Sequence, residues 1–131
     1  MKQLYKNMGK DIELLNNKKL GDLGERIAKM YLEINKYQIL KCNFKSKFGE
    51  IDIIARMGNT IHFIEVKTRT SHFIEARLAI NKQKQEHIWK TAEYYVYINK
   101  IRNTEIQFDA IEVYIEKENW QINYIPRNIE K

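Results

Sequence analysis

The sequence predicts a single α/β domain with the element order α-β-β-β-α-β-β. Three observations predict it. Two segments carry apolar residues at helical spacing, and a Gly58-Asn59 pair separates two strand-like runs. Those two runs are apolar on both faces, which asks for cover on both sides of the sheet they build. At 131 residues the chain suits one domain with one substantial core.

The first helix is predicted over Asn17 to Asn35, where Leu20, Leu23, Gly24, Ile27, Ala28, Tyr31 and Leu32 recur at i, i+3, i+4 and i+7. Glu25 lies about 120° from the centre of that stripe at ~100° per residue, where it either reaches over the sheet edge or faces water. Tyr37–Phe44 reads as a strand, and Lys45–Gly49 as a turn. The acidic hairpin follows, and then Thr68–Ala76 as a polar loop. A second helix is predicted from Leu78 or Ile80 to Tyr97, with Ile88, Ala92, Tyr95 and Val96 inward and Lys82, Lys84, Gln85 and Lys90 outward. Strands near Glu105–Ile115 and Trp120–Ile125 complete the order, with Pro126 ending the last. Residues 1–16 read as a basic, flexible amino-terminal arm, and 17–131 as the domain.

The hairpin carries the chemistry. A two-residue turn at Gly58-Asn59, or a four-residue loop with the same centre, sets Asp52 opposite Glu65 and Glu50 opposite Lys67; a three-residue loop separates the acids. Opposed residues share a face, so these four side chains project together, beside Ile54, Ile61 and Phe63. Ile51, Ile53, Ala55, Ile64 and Val66 form the other face. A solvated, amphipathic hairpin with a Glu50–Lys67 surface ion pair is the plainer account. Apolar residues on both faces argue against it, because buried carboxylates need partners. A divalent cation relieves the repulsion of two such acids.

Composition narrows the class. Hydrophobic residues are 44% and charged residues 31%, with no apolar stretch long enough for a membrane span. Met1–Lys19 has no apolar signal region, so a cytoplasmic protein is expected. The single Cys42 has no CxxC partner and reads as a small packed side chain. His62, His72 and His87 lack zinc spacing, and His62 is expected to be structural, facing away from the acids. The net charge of +6 is uneven, with six Lys/Arg against one acid over residues 26–47 and six against two over 67–90. Such a distribution suits an anionic polymer, although many small soluble proteins are as basic. Tyr94, Tyr95 and Tyr97 have helical spacing and fit packing better than base stacking.

Asp52 followed by Glu65-Val66-Lys67 resembles the signature of the PD-(D/E)XK, or restriction-endonuclease-like, nuclease superfamily. Gly21, Gly24-Glu25, Gly49-Glu50-Ile51-Asp52, Phe63-Ile64-Glu65-Val66-Lys67-Thr68-Arg69, Lys82 and Phe108-Asp109 together resemble the YraN-like family of small bacterial proteins, over about Asn17 to Ile115. The resemblance implies a mixed central sheet flanked by helices and a metal-dependent nuclease acting on DNA, including branched or damaged structures. It implies Mg²⁺ or Mn²⁺ held by Asp52, Glu65 and the Val66 carbonyl, with Glu25 as a further ligand and Lys67 acting on the attacking water and phosphate. Glu50 is assigned a supporting place, and Arg69 and Lys82 contact with phosphate or the nucleic-acid backbone. The chain departs from the pattern at Ile51, where the superfamily has proline, at Gln107, where relatives have arginine, and in its ending Tyr124-Ile125-Pro126-Arg127. Neither of the last two is expected to touch the metal cluster. A non-catalytic nucleic-acid-binding module and an assembly factor are the alternatives. Homodimerisation and the need for a partner protein stay open.

Overall fold

The computed structural model describes residues 17–70, 82–117 and 119–127. Helix α1 (Asn17–Ile34) leads into strands β1 (Gln38–Ser46), β2 (Gly49–Met57) and β3 (Thr60–Thr70), followed by helix α2 (Lys82–Ile98) and strands β4 (Glu105–Glu116) and β5 (Asn119–Arg127). The five strands form one sheet in the order β1-β2-β3-β4-β5. Only β3 and β4 run parallel, and α2 lies in the crossover that a parallel pair requires. The expected mixed sheet flanked by helices is therefore present, consistent with the restriction-endonuclease-like fold. The proposed arm at residues 1–16 and the predicted helix start at Leu78 or Ile80 lie outside the described residues.

Alternation along the strands sends apolar side chains to both faces. On one, Leu23, Ile27, Ala28 and Leu32 of α1 pack on Ile53, Ala55, Ile64, Ile111 and Val113. On the other, Ala92 and Tyr95 of α2 pack with Phe44, Ile54, Ile61, Phe63 and Phe108, flanked by the inward Ile88 and Val96. Each fully buried branched side chain contributes about 1.5–3 kcal/mol, so the two layers hold the sheet from both sides.

Ile51 corrects the predicted face assignment. It packs in the α2-side cluster, whereas Ile53 and Ala55 pack under α1. Its partner in β1 is Phe44, next to Asn43, which takes a left-handed φ of 53° that asparagine tolerates better than most residues. Phe44 and Ile51 thus turn together towards α2. Asp52, between two isoleucines that face opposite ways, comes to lie where the two sides of the sheet meet.

Three boundaries differ from expectation. Strand β1 reaches Ser46, which pairs with Gly49 and leaves Lys47-Phe48 as the hairpin tip. Strand β3 continues through Thr68–Thr70, read above as loop, because β4 pairs with it as far as Thr70–Ile115. Strand β5 passes through Pro126 to Arg127. It is an edge strand, where a missing N–H costs no ladder bond on the open side.

Gly24 sets the depth of α1. A Cβ there would stand 1.9 Å from Thr68 Oγ1 and 3.0 Å from Thr68 Cβ, so glycine is what lets the helix approach β3. The next residue is Glu25, which this approach brings over the end of the sheet.

Candidate active site

The β2–β3 hairpin turns through Gly58 at φ 60°, the left-handed geometry of its first turn position. The predicted register holds from Met57–Thr60 to Ile53–Ile64. There the ladder stops, so Asp52–Glu65 and Glu50–Lys67 are not backbone pairs. The two strands part, and Asp52 Oδ2 accepts a 2.8 Å hydrogen bond from the Val66 backbone N–H instead. A side chain has taken over a donor that further strand pairing would have used.

Two cavities open where the strands part. One, of about 220 Å³, is lined by Glu50, Asp52, Glu65, Lys67, Lys84 and Arg127 among others. A second, of about 420 Å³, is lined by Glu25, Asp52, Val66, Lys67 and Arg69 among others. Asp52 and Lys67 line both. The structure therefore gathers Glu50, Asp52, Glu65 and Lys67 at one cavity, and joins Glu25, Val66 and Arg69 to it through Asp52 and Lys67. Lys82 stands exposed in the first turn of α2 and lines neither cavity.

The carboxylates differ in their electrostatics. Burial pushes the Asp52 carboxyl up, and the nearby Glu65 and Glu50 charges add to that; the Val66 N–H and Lys67 only partly offset it. Glu25 is raised too, by burial and then by Asp52, despite a hydrogen bond with Asn43. Burial would also raise Glu65, but Lys67, Lys84 and Arg127 outweigh it and hold its carboxyl below the usual range. Lys67 Nζ lies 3.0 Å and Lys84 Nζ 3.2 Å from Glu65 Oε1, and Arg127 Nη1 3.9 Å from Oε2.

Arg127 corrects an expectation, since the carboxy-terminal departure does touch the acids. It comes from the strand that runs past Pro126, and its neighbours are Glu65 and the buried Glu112, whose Oε1 accepts from Asn123 Nδ2 at 3.0 Å. Lys84, read as outward, keeps 44% of its side chain exposed but also reaches Glu65 at the cavity. It lies one turn before Ile88, four residues on the same stripe that continues to Ala92 and Tyr95, and this phase was a signal in the sequence. Glu112 between Ile111 and Val113 was a weaker one.

A second polar knot centres on Asp109, which also lines the first cavity. His62 Nδ1 lies 2.5 Å from Asp109 Oδ2, which also accepts from the Tyr124 hydroxyl. Tyr37 meets the His62 ring edge-on at 5.2 Å between centroids. His62 faces away from the acids, as expected.

Among the described residues, no three His, Cys, Asp or Glu side chains come together as a ready cation cage. A hard ion needs less. One or two carboxylates with waters and phosphate oxygens suffice for Mg²⁺, and the raised Asp52 and Glu25 carboxyls, which line the second cavity together, are all-oxygen donors that a cation would stabilise. The residues fit such an ion.

Comparison with known proteins agrees with the motifs. The family described as "Uncharacterised protein family UPF0102" matches residues 24–113. A UPF0102 protein of Caldicellulosiruptor saccharolyticus is 45% identical over 106 residues, covering 80% of this chain and 90% of the relative. One of Clostridium beijerinckii is 42% identical, covering 83% and 91%, and one of Geobacter metallireducens 43% identical, covering 88% and 96%.

Proposed function

The chain belongs to the uncharacterised protein family UPF0102, and from its site we propose that it is a metal-dependent phosphodiesterase, an endonuclease acting on DNA in the cytoplasm. One observation carries this reading: Asp52, Glu65 and Lys67 converge on a single cavity where β2 and β3 part. In that reading Asp52 and Glu65, with the Val66 carbonyl and Glu25, hold Mg²⁺ or Mn²⁺. When bound, the ion lowers the pKa of a coordinated water and neutralises charge on the phosphate.

The protein's own groups do the rest. Lys67, fixed by its 3.0 Å contact with Glu65, offers an ammonium donor to a water or a phosphate oxygen in the cavity. Lys84 and Arg127 are further cations at the same wall, which would counter the negative charge that develops on the oxygens of a five-coordinate phosphorus. Asp52 keeps one oxygen on the Val66 N–H, which orients its carboxylate before any ligand arrives. Arg69, beside the second cavity, and Lys82 at the α2 start suit contacts with the flanking phosphates.

Calorimetric titration of Mn²⁺ and Mg²⁺ into the wild type and Asp52→Ala tests this, with cleavage assays on linear, nicked, single-stranded and four-way-junction DNA. Metal binding and cutting are both expected, and both vanish in the variant. Lys67→Ala is expected to bind metal and lose turnover. Absence of metal binding even with DNA present defeats the reading. A second reading, a nucleic-acid-binding module that cuts nothing, draws on the three cations that already neutralise Glu65. DNA binding in EDTA that Asp52→Asn leaves unchanged, with no cleavage by the wild type, would favour it.

A further inference from the structure

We infer that the β1–β2 hairpin tip is a stacking platform for an unpaired base, with Phe48 as its aromatic face, so that the substrate presents a single-stranded stretch beside the scissile phosphate. Lys47 and Phe48 form the two-residue tip. Phe48 is half-buried, with Lys47 Nζ 5.2 Å and Lys90 Nζ 5.9 Å from its ring centroid. Tyr94, 41% exposed, stands edge-on to it at 6.5 Å. An aromatic ring with two ammonium groups beside it is the combination that binds single strands, because every base has a π-face and every link a phosphate.

The tip is held in place before any ligand binds. Ser46 Oγ accepts from the Phe48 N–H at 3.0 Å and lies 3.4 Å from Thr91 Oγ1 on α2. Thr91 is fully buried and donates to the His87 carbonyl at 2.7 Å. Gly49 sits close to the same turn of the helix; a Cβ there would lie 3.4 Å from Thr91 Oγ1. A ring displayed on a braced tip loses little freedom on stacking, which favours affinity.

The platform is continuous with the acid cavity. Glu50, two residues beyond Phe48, lines that cavity, as do Lys84 and Ile88 of α2. From Lys84, which meets Glu65, to Lys90, which meets Phe48, the helix rises only about 9 Å. A strand whose phosphate lies at Glu65 and Lys67 therefore reaches Phe48 with a base within a few nucleotides. A paired base in a duplex has both faces stacked already and offers nothing to the ring.

This inference rests on the proposed reading of the cavity as the place of phosphate cleavage, but binding can be read without metal. Fluorescence anisotropy in EDTA, with a labelled 12-nucleotide single strand and the matching duplex, compares the wild type with Phe48→Leu and Phe48→Trp. Phe48→Leu keeps the apolar bulk against Tyr94 and removes the aromatic face. It is expected to weaken single-strand binding by about 5- to 100-fold while leaving duplex binding within about 2-fold, and Phe48→Trp to restore it. Equal loss on both DNAs, or wild-type single-strand affinity in Phe48→Leu, overturns the platform. Loss of metal-dependent cleavage as a property of the wild type would instead defeat the hydrolase reading and leave these binding results standing.

Discussion

The two ends of the β2–β3 hairpin are built from the same kind of strand and behave differently. Near the Gly58 turn, Ile53 to Met57 pair residue for residue with Thr60 to Ile64, and their side chains fill both cores. At the other end the ladder is gone, and Asp52, Glu65 and Lys67 line a cavity. Charge makes the difference. Continuing the ladder would press Asp52 and Glu65 together, so the strands part and Asp52 satisfies a backbone donor with its own oxygen. Cohesion at one end holds the sheet, and the other end is left open as a cavity.

If that division holds, substitutions at the two ends fail in different assays. Under the proposed reading, Asp52→Ala and Glu65→Ala are both expected to lower Mg²⁺-dependent cleavage on the order of 10³-fold or more. Asp52→Ala is expected to keep a cooperative thermal transition near that of the wild type, and Glu65→Ala one a few degrees lower, because Lys67, Lys84 and Arg127 lose their shared carboxylate. A Tm lowered by many degrees in either would erase the contrast. Ile64→Ala, fully buried at the closed end, is expected to cost about 2–5 kcal/mol by denaturant titration. A loss below 1 kcal/mol would show that the closed end is not what secures the sheet.

Smaller effects sharpen the comparison within the open end. Arg127→Ala takes a cation from between Glu65 and the buried Glu112, and a loss of roughly 1–3 kcal/mol is expected. Unchanged stability would mean that the two lysines alone neutralise Glu65. Asp52→Asn keeps an acceptor for the Val66 N–H and removes a charge whose folded-state pKa is raised. A raised pKa favours folding least above it, because the folded form must ionise at a cost that the unfolded chain avoids. The variant is therefore expected to gain Tm at pH 7 without metal, with the gain fading as pH falls through the raised pKa and gone below the usual carboxylate range. Glu65→Gln should show the opposite sign, because its lowered pKa contributes stability above that range which is lost on acidification. A gain that persists at acid pH would assign the Asp52 effect to packing rather than charge.

Much of this was legible in the chain. Helix α1, the Gly58 turn, the two-faced strands and the order of elements follow from local periodicity and turn chemistry, which depend on neighbours in sequence. The candidate site was legible as far as it lies on one hairpin: Glu50, Asp52, Glu65 and Lys67 share a cavity. Gly24-Glu25 could be flagged as a motif, but the reason for the glycine is the side chain of Thr68, distant in sequence. Lys84 and Arg127 reach Glu65 from α2 and β5, and their arrival depends on how a helix and an edge strand dock on a sheet.

Local pattern determines which residues alternate, turn or coil, because those choices are made by sterics and hydrogen bonds within a few positions. Where the β2–β3 ladder ends, which way Ile51 faces and which cations settle on Glu65 are decided by packing and desolvation between elements far apart in the chain. Those terms act over space, and they come into being only when the sheet closes between its two helices.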